Sequence, residues 1–355
     1  MIKENYKKKF LIIYRLFVYF FSLNIISKLT QLGDYHRYIN GDPLQIFYEN
    51  HLNFIFNSTL LTDFLVGGTK IMFFNNEILT GIFFNLIGSY GIIYFLNCVF
   101  WNKIMYFFIL FPSFTIWSSY PSKEVISVFS TGIIMGNIVK IFNNEKREIK
   151  DNVVLYLSLF LLFIYKKQYL IVIIFLLIYC SLKNKIKFKT RIAVYIFYLI
   201  SLILIFYILK DKINYFFKDF HLHFDYGSKE TVRNLTFFRE KYGFYKHMFY
   251  GMFICFFGPS IWEIQQGGLK LFSFIESSMV ITIICYLIIK LKNKSIENLF
   301  LFFNSLFLLL LPQYPFGIFN SGSAVRYRTN LWLIFLGIVY IFIINKKKYK
   351  DNEIF

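Results

Sequence analysis

Two arginines set one residue apart, Arg326 and Arg328, close the run Asn320-Ser321-Gly322-Ser323-Ala324-Val325-Arg326-Tyr327-Arg328. A guanidinium is a planar fork that matches phosphate oxygens two at a time. With Arg233, Arg239 and Lys123, these side chains form a candidate set for holding a diphosphate. In an extended Gly/Ser-rich loop alternate side chains face the same way, so both forks of the pair could reach one ligand. The carboxylates able to take a proton from an incoming hydroxyl are Asp34, Glu124, Asp225 and Glu263. A base at the nucleophile and positive charge at a leaving phosphate are the two requirements of glycosyl transfer from a lipid diphosphate.

Other chemistries are excluded or unsupported. The chain has no phosphate-cradling Gly-rich loop, no dinucleotide fingerprint and no His-Glu-x-x-His, so ATP hydrolysis and zinc proteolysis are not expected. His221 and His223 alternate without a third ligand at a definite spacing, and no metal is predicted. Cys98, Cys180, Cys255 and Cys285 stand alone in apolar surroundings, which supports neither disulfides nor zinc. No cofactor is expected.

The elements that must position these groups are membrane helices. Hydrophobic residues make up 57% of the chain, and apolar runs near the twenty residues needed to cross a bilayer recur from end to end. The expected fold is an all-α integral membrane protein. It has about ten transmembrane helices, both termini cytoplasmic, and re-entrant or interfacial helices on the outer face. Residues 1–355 form one domain with larger outer segments at about 28–77 and 210–270. The net charge of +19 resides in short basic clusters between apolar runs, near residues 3–9, 146–150, 183–191, 290–294 and 346–350. Such clusters mark cytoplasmic loops and favour anionic lipid, so nucleic acid is not needed to explain the charge.

Within this plan residues 10–26 form a first retained span and 44–74 are amphipathic helices at the outer interface. Residues 104–117 form a third span. Residues 153–182, too long for one crossing, form a hairpin broken at Lys166-Lys167-Gln168. Residues 248–257 are too short to cross, and 298–311 form the ninth span. The stretch from Pro112 to Glu124 holds two prolines, four serines and a Lys123-Glu124 pair between strongly apolar runs. It predicts a break in the helix. Polar irregular backbone at membrane depth survives only inside protein or beside a wet cavity, which makes this stretch a candidate site. The competing expectation is a surface loop with a solvated Lys and Glu.

Three motifs carry a family resemblance. They are Pro112-Ser113 with Trp117-Ser118-Ser119 and Lys123-Glu124, then Gly258-Pro259-Ser260-Ile261-Trp262-Glu263 with Glu276 downstream, and Gly322 to Arg328. Together they resemble bacterial multi-pass proteins of surface-polysaccharide assembly, the O-antigen polymerases and relatives of type-C glycosyltransferases. The resemblance implies an inner-membrane enzyme that joins undecaprenyl-diphosphate-linked repeat units on the periplasmic face. Its implied partners are those lipid-linked oligosaccharides, membrane lipid and a chain-length regulator. Arg326 and Arg328 would neutralise the diphosphate, and Asp34, Glu124 or Glu263 would act on the acceptor hydroxyl. A type-C transferase with a polyprenyl-phosphate donor is the second implied activity. In such families an acid in the first outer loop is catalytic, and Asp34 holds that position, as a single acid rather than a pair. A non-enzymatic flippase for lipid-linked glycan is the third reading.

Overall fold

A computed structural model describes the chain except residues 1, 30, 31, 33, 184, 187, 228–232, 234–239, 267, 291–295 and 345–355. Every regular element among the described residues is helical. Polar caps start the helices where sequence places them. Asp42 accepts from the backbone of Leu44 and Gln45, Asn57 from Thr59 and Leu60, Asn76 from Leu79, and Asn102 from Ile104 and Met105. Each satisfies amides that the first helical turn leaves without partners. Among the described residues six helices are long and apolar enough to cross a membrane, or seven if the bent pair Ile192–Ile208 and Lys210–Asp219 is one span. The protein is a multi-pass membrane protein.

Three stretches expected to span take other forms. Residues 104–117 are two short helices, because Pro112 cannot donate to the preceding turn and begins a new helix at its first position. Residues 153–182 lie within one helical run, Ile149–Leu182, with a 3-10 turn at Lys167–Tyr169 in place of the hairpin bend. The Lys-Lys-Gln triplet contains no Gly, Pro or Asn to reverse the chain. The ninth expected span is a helix of 15 residues, Ile296–Leu310, about 22 Å long against a hydrocarbon core of about 30 Å.

The chain divides into two compact units. The first comprises Met1–Lys140, Glu145–Leu170 and Thr329–Gly337. Its helices are α1 (Ile2–Phe21), α2 (Tyr35–Ile39), α3 (Pro43–Asn50), α4 (Ser58–Met72), α5 (Glu77–Cys98), α6 (Lys103–Ile109), α7 (Pro112–Trp117), α8 (Lys123–Phe142) and α9 (Ile149–Lys166). Helices α5 and α8 touch backbone to backbone at Gly91 and Gly132, where a Cβ on Gly132 would overlap the Gly91 carbonyl oxygen. Such a crossing is built from residues with no side chain to keep the helices apart. Residues 329–337 are buried in this unit, and the Trp332 indole donates to the Phe108 carbonyl at 3.2 Å.

The second unit comprises Ile141–Asn144, Ile171–Arg328 and Ile338–Phe355. It contains α10 (Leu170–Leu182), α11 (Phe188–Ile208), α12 (Lys210–Gly227), α13 (Met248–Phe257), α14 (Gly268–Lys290), α15 (Ile296–Leu310) and the first turns of α16 (Ser321–Val339). Phe217, Phe244, Tyr314 and Phe319 form an aromatic cluster inside it.

Candidate active site

In the first unit the site starts from a glycine contact. Gly41 lies against α4 so closely that a Cβ there would sit 2.8 Å from the Asp63 carbonyl oxygen. A Cβ on Gly67, one turn beyond Asp63, would overlap the Gly41 carbonyl oxygen. Only glycine permits that approach, and it brings the short helix α2 alongside Asp63. There the Arg37 Nε donates to Asp63 Oδ1 at 3.3 Å, and Arg37 Nη1 lies 3.9 Å from Asp34 Oδ1. The Tyr38 hydroxyl donates to the other Asp34 oxygen at 3.4 Å. One guanidinium therefore holds two carboxylates, Asp34 at the start of α2 and Asp63 in α4.

Beside them lies an open hollow of about 550 Å³, lined by His36, Arg37, Asn40, Gln45, Glu49 and Asp63 among others. Asp63 is 7% exposed, whereas the Arg37 side chain is half exposed. Burial raises the proton affinity of Asp63, and the opposing pull of Arg37 and Lys123 leaves its carboxyl above the ordinary value of 3.8. A desolvated carboxylate at a solvent-reaching hollow is equipped to take a proton from a bound hydroxyl.

The serine-proline stretch docks onto the same helices. The Lys123 ammonium donates to the Thr59 hydroxyl, one turn before Asp63 on α4. Tyr120 packs edge-on against Tyr35 at 5.9 Å. This is not a solvated loop: Ser118, Ser119, Tyr120, Ser122 and Glu124 are all buried and Lys123 is half-buried. What fixes it is Arg15 in α1, fully buried in a membrane span. Its Nε donates to Ser89 and its Nη1 to the Ser118 hydroxyl, each at 2.8 Å, while Nη2 meets the Ser118 carbonyl. The Asn85 amide donates to the Ser119 carbonyl at 2.9 Å and to that of Arg15 at 3.1 Å. A charge at this depth is tolerated only because oxygens surround it.

The second unit holds the other expected residues, in two buried ion pairs. Arg233 donates from Nε to Glu263 Oε1 at 2.7 Å and from Nη2 to Oε2 at 3.3 Å. Its Nη1 reaches the Gly317 and Ile318 carbonyls. Glu263 also accepts from the Ser260 amide at 2.6 Å and the Ser260 hydroxyl at 2.9 Å. Burial raises its proton affinity, but these donors outweigh it and hold the carboxyl below its ordinary 4.5. That favours a structural anion over a base. Arg328, 4% exposed, donates to Ser277 Oγ at 2.6 Å and the Phe256 carbonyl at 3.2 Å, and pairs with Glu276 at 3.5 Å.

The expected arginine loop is helix. Asn320 accepts from the Ser323 amide at 2.8 Å and starts α16, so Arg326 and Arg328 are two helical residues apart. At about 100° per residue their side chains leave the axis about 200° apart, not on one side. Arg328 turns inward to Glu276, while the Arg326 guanidinium lies over the Tyr327 ring at 5.1 Å. Arg239 falls outside the described residues, as does the side chain of Asp225.

Sequence reasoning singled out Asp34, Lys123 and Glu124 but passed over Asp63 and Arg37. The available signal was the lone acid in Leu60-Leu61-Thr62-Asp63-Phe64-Leu65-Val66, a charge in an otherwise apolar helical run. Comparison of the chain with protein-family models, curated proteins and solved structures finds no match in any of the three.

Proposed function

We propose that the protein is a membrane glycosyltransferase that builds a surface polysaccharide from polyprenyl-linked sugars. The observation that carries this reading is the pair of carboxylates, Asp34 and Asp63, held by Arg37 at an open polar hollow, with Lys123 bonded to Thr59 one turn before Asp63. In this reading Asp63 accepts the proton of the acceptor hydroxyl as its oxygen bonds to the donor's anomeric carbon. The bond from that carbon to the phosphate oxygen breaks, and the lipid phosphate leaves with the electron pair. Lys123, close enough to Asp63 to favour its charged form, balances the negative charge gained by the phosphate.

The first version of the reaction is polymerisation of undecaprenyl-diphosphate-linked repeat units, as in O-antigen or capsule assembly, with a chain-length regulator as partner. The second is a type-C transferase with a polyprenyl-phosphate sugar donor. The acid pair favours the second, and so does the engagement of Arg233 and Arg328 by their own carboxylates. In either version the basic clusters stay cytoplasmic, and the site faces the periplasm of a bacterial inner membrane. The six or seven long apolar helices are the crossings of this reading, and Met248–Phe257 stays at the outer face.

The test is reconstitution of the purified protein in liposomes with an acceptor glycan and each donor in turn. Glycan growth on the diphosphate donor selects the polymerase, and growth on the monophosphate donor selects the transferase. Asp63→Asn should lower either rate on the order of a hundredfold or more while the protein still melts cooperatively. If neither donor is consumed and lipid-linked glycan merely crosses the bilayer, the protein is a carrier and the proposal fails.

A further inference from the structure

The hollow carries a charge opposite to that of the chain. Asp42, Glu49 and Asp63 line it against the single guanidinium of Arg37, leaving a formal charge of −2 with His36 counted as neutral. The whole chain carries +19. The remaining polar lining includes the side-chain amides of Asn40, Gln45 and Asn50. Amides and carboxylates offer donors and acceptors to hydroxyl groups, and a carboxylate accepts from a hydroxyl without needing a counter-charge. Glu49 accepts from Gln45 Nε2 at 2.8 Å, and both residues line the hollow.

We infer that the hollow is the acceptor subsite, and that it selects sugar units bearing no anionic group over uronic acids and other carboxylated sugars. The inference rests on the glycosyltransferase reading and adds the substrate class of its acceptor. The division of charge favours this arrangement. Lys123, at Thr59 on α4, serves the phosphate side, while Glu49, on α3, lines the opposite-signed hollow where the glycan end must sit. A sugar carboxylate placed within roughly 8 Å of the lining acids is disfavoured on the order of tenfold or more at low salt, and less as salt screens it.

Full-length protein in phosphatidylcholine nanodiscs is titrated with a neutral glucan tetrasaccharide and with its C6-carboxylated counterpart, read by saturation-transfer NMR. The neutral glycan should bind at least tenfold tighter at low ionic strength. The gap should narrow at high salt and again in Glu49→Gln, which keeps the acceptor for Gln45 and removes one charge. Equal affinities, tighter binding of the carboxylated glycan, or no binding of either overturns the inference. Donor turnover by the same preparation is scored separately. Turnover without this selectivity sinks the acceptor inference alone, and selectivity without turnover sinks the transfer reading, and with it the acceptor role, leaving a neutral-glycan binding site.

Discussion

If Arg328 is an internal structural charge, removing it should cost stability in a way that removing its partner repairs. Arg328 and Glu276 are 4% and 8% exposed at their side chains, and the pair is closed by Ser277 and the Phe256 carbonyl. Arg328→Ala strands the Glu276 carboxylate in a low-dielectric interior, which costs about 3–5 kcal/mol. Replacing both, as Arg328→Met with Glu276→Met, removes both desolvation penalties and fills similar volume, so the double variant should regain more than half of that loss. At about 2 °C per kcal/mol for a chain of this size, the single variant should melt about 6–10 °C lower in detergent, and the double variant within about 5 °C of the parent. Melting followed by intrinsic fluorescence at one scan rate reads both. A single variant as stable as the parent refutes the structural role. So does a double variant no better than the single, because the pair is then not coupled. A diphosphate clamp predicts the reverse pattern: normal melting with lost activity.

Two other perturbations test the first unit. Gly132→Ala should destabilise by about 3 kcal/mol, because its methyl must displace backbone at Gly91 rather than a movable side chain; the same melting assay reads it, and an unchanged midpoint would mean the helices cross elsewhere. The raised proton affinity of Asp63 gives the pH dependence its sign: a base must be ionised, so activity should rise with pH through a limb above 3.8. Arg37 lowers the proton affinity of Asp63, so Arg37→Ala should shift the limb to higher pH, and a limb that stays put or moves down removes Asp63 from the role of base.

What sequence made legible was what local chemistry enforces. Pro112 breaks a helix wherever it sits, and the buried serines after it need oxygen or nitrogen partners, so the stretch around Ser118 could be singled out. The Gly/Ser run before Arg326 was misleading for a related reason. Asn-Ser-Gly-Ser reads as a turn, yet Asn followed by Ser is also a helix start, and the Ala324 amide bonding to the Asn320 carbonyl at 2.9 Å shows which one the fold selects. Asp63 and Arg37 are 26 residues apart, and nothing in local periodicity joins them. Their meeting depends on Gly41 and Gly67, each of which alone reads as an ordinary loop or helix glycine.

The same contrast separates charges that hold the fold from charges able to act. Arg15, Arg233 and Arg328 are all at most 7% exposed, and each guanidinium points at oxygens from at least two other segments. For any of them to grip a substrate phosphate it would first have to abandon those oxygens inside the protein, at a cost of several kcal/mol per ion. Arg37 faces no such barrier. Its side chain is 49% exposed, its contacts to Asp34 and Asp63 are long at 3.9 and 3.3 Å, and it borders the hollow. A guanidinium so placed can shorten one contact and release the other as charge moves between the acids and a bound hydroxyl. The number of arginines is therefore a poor guide to where an anion binds; the useful measure is how much each must give up to do so. By that measure Arg37 and its two carboxylates are where the proposed chemistry is to be tested, while Arg233 and Arg328 belong to the frame of the second unit.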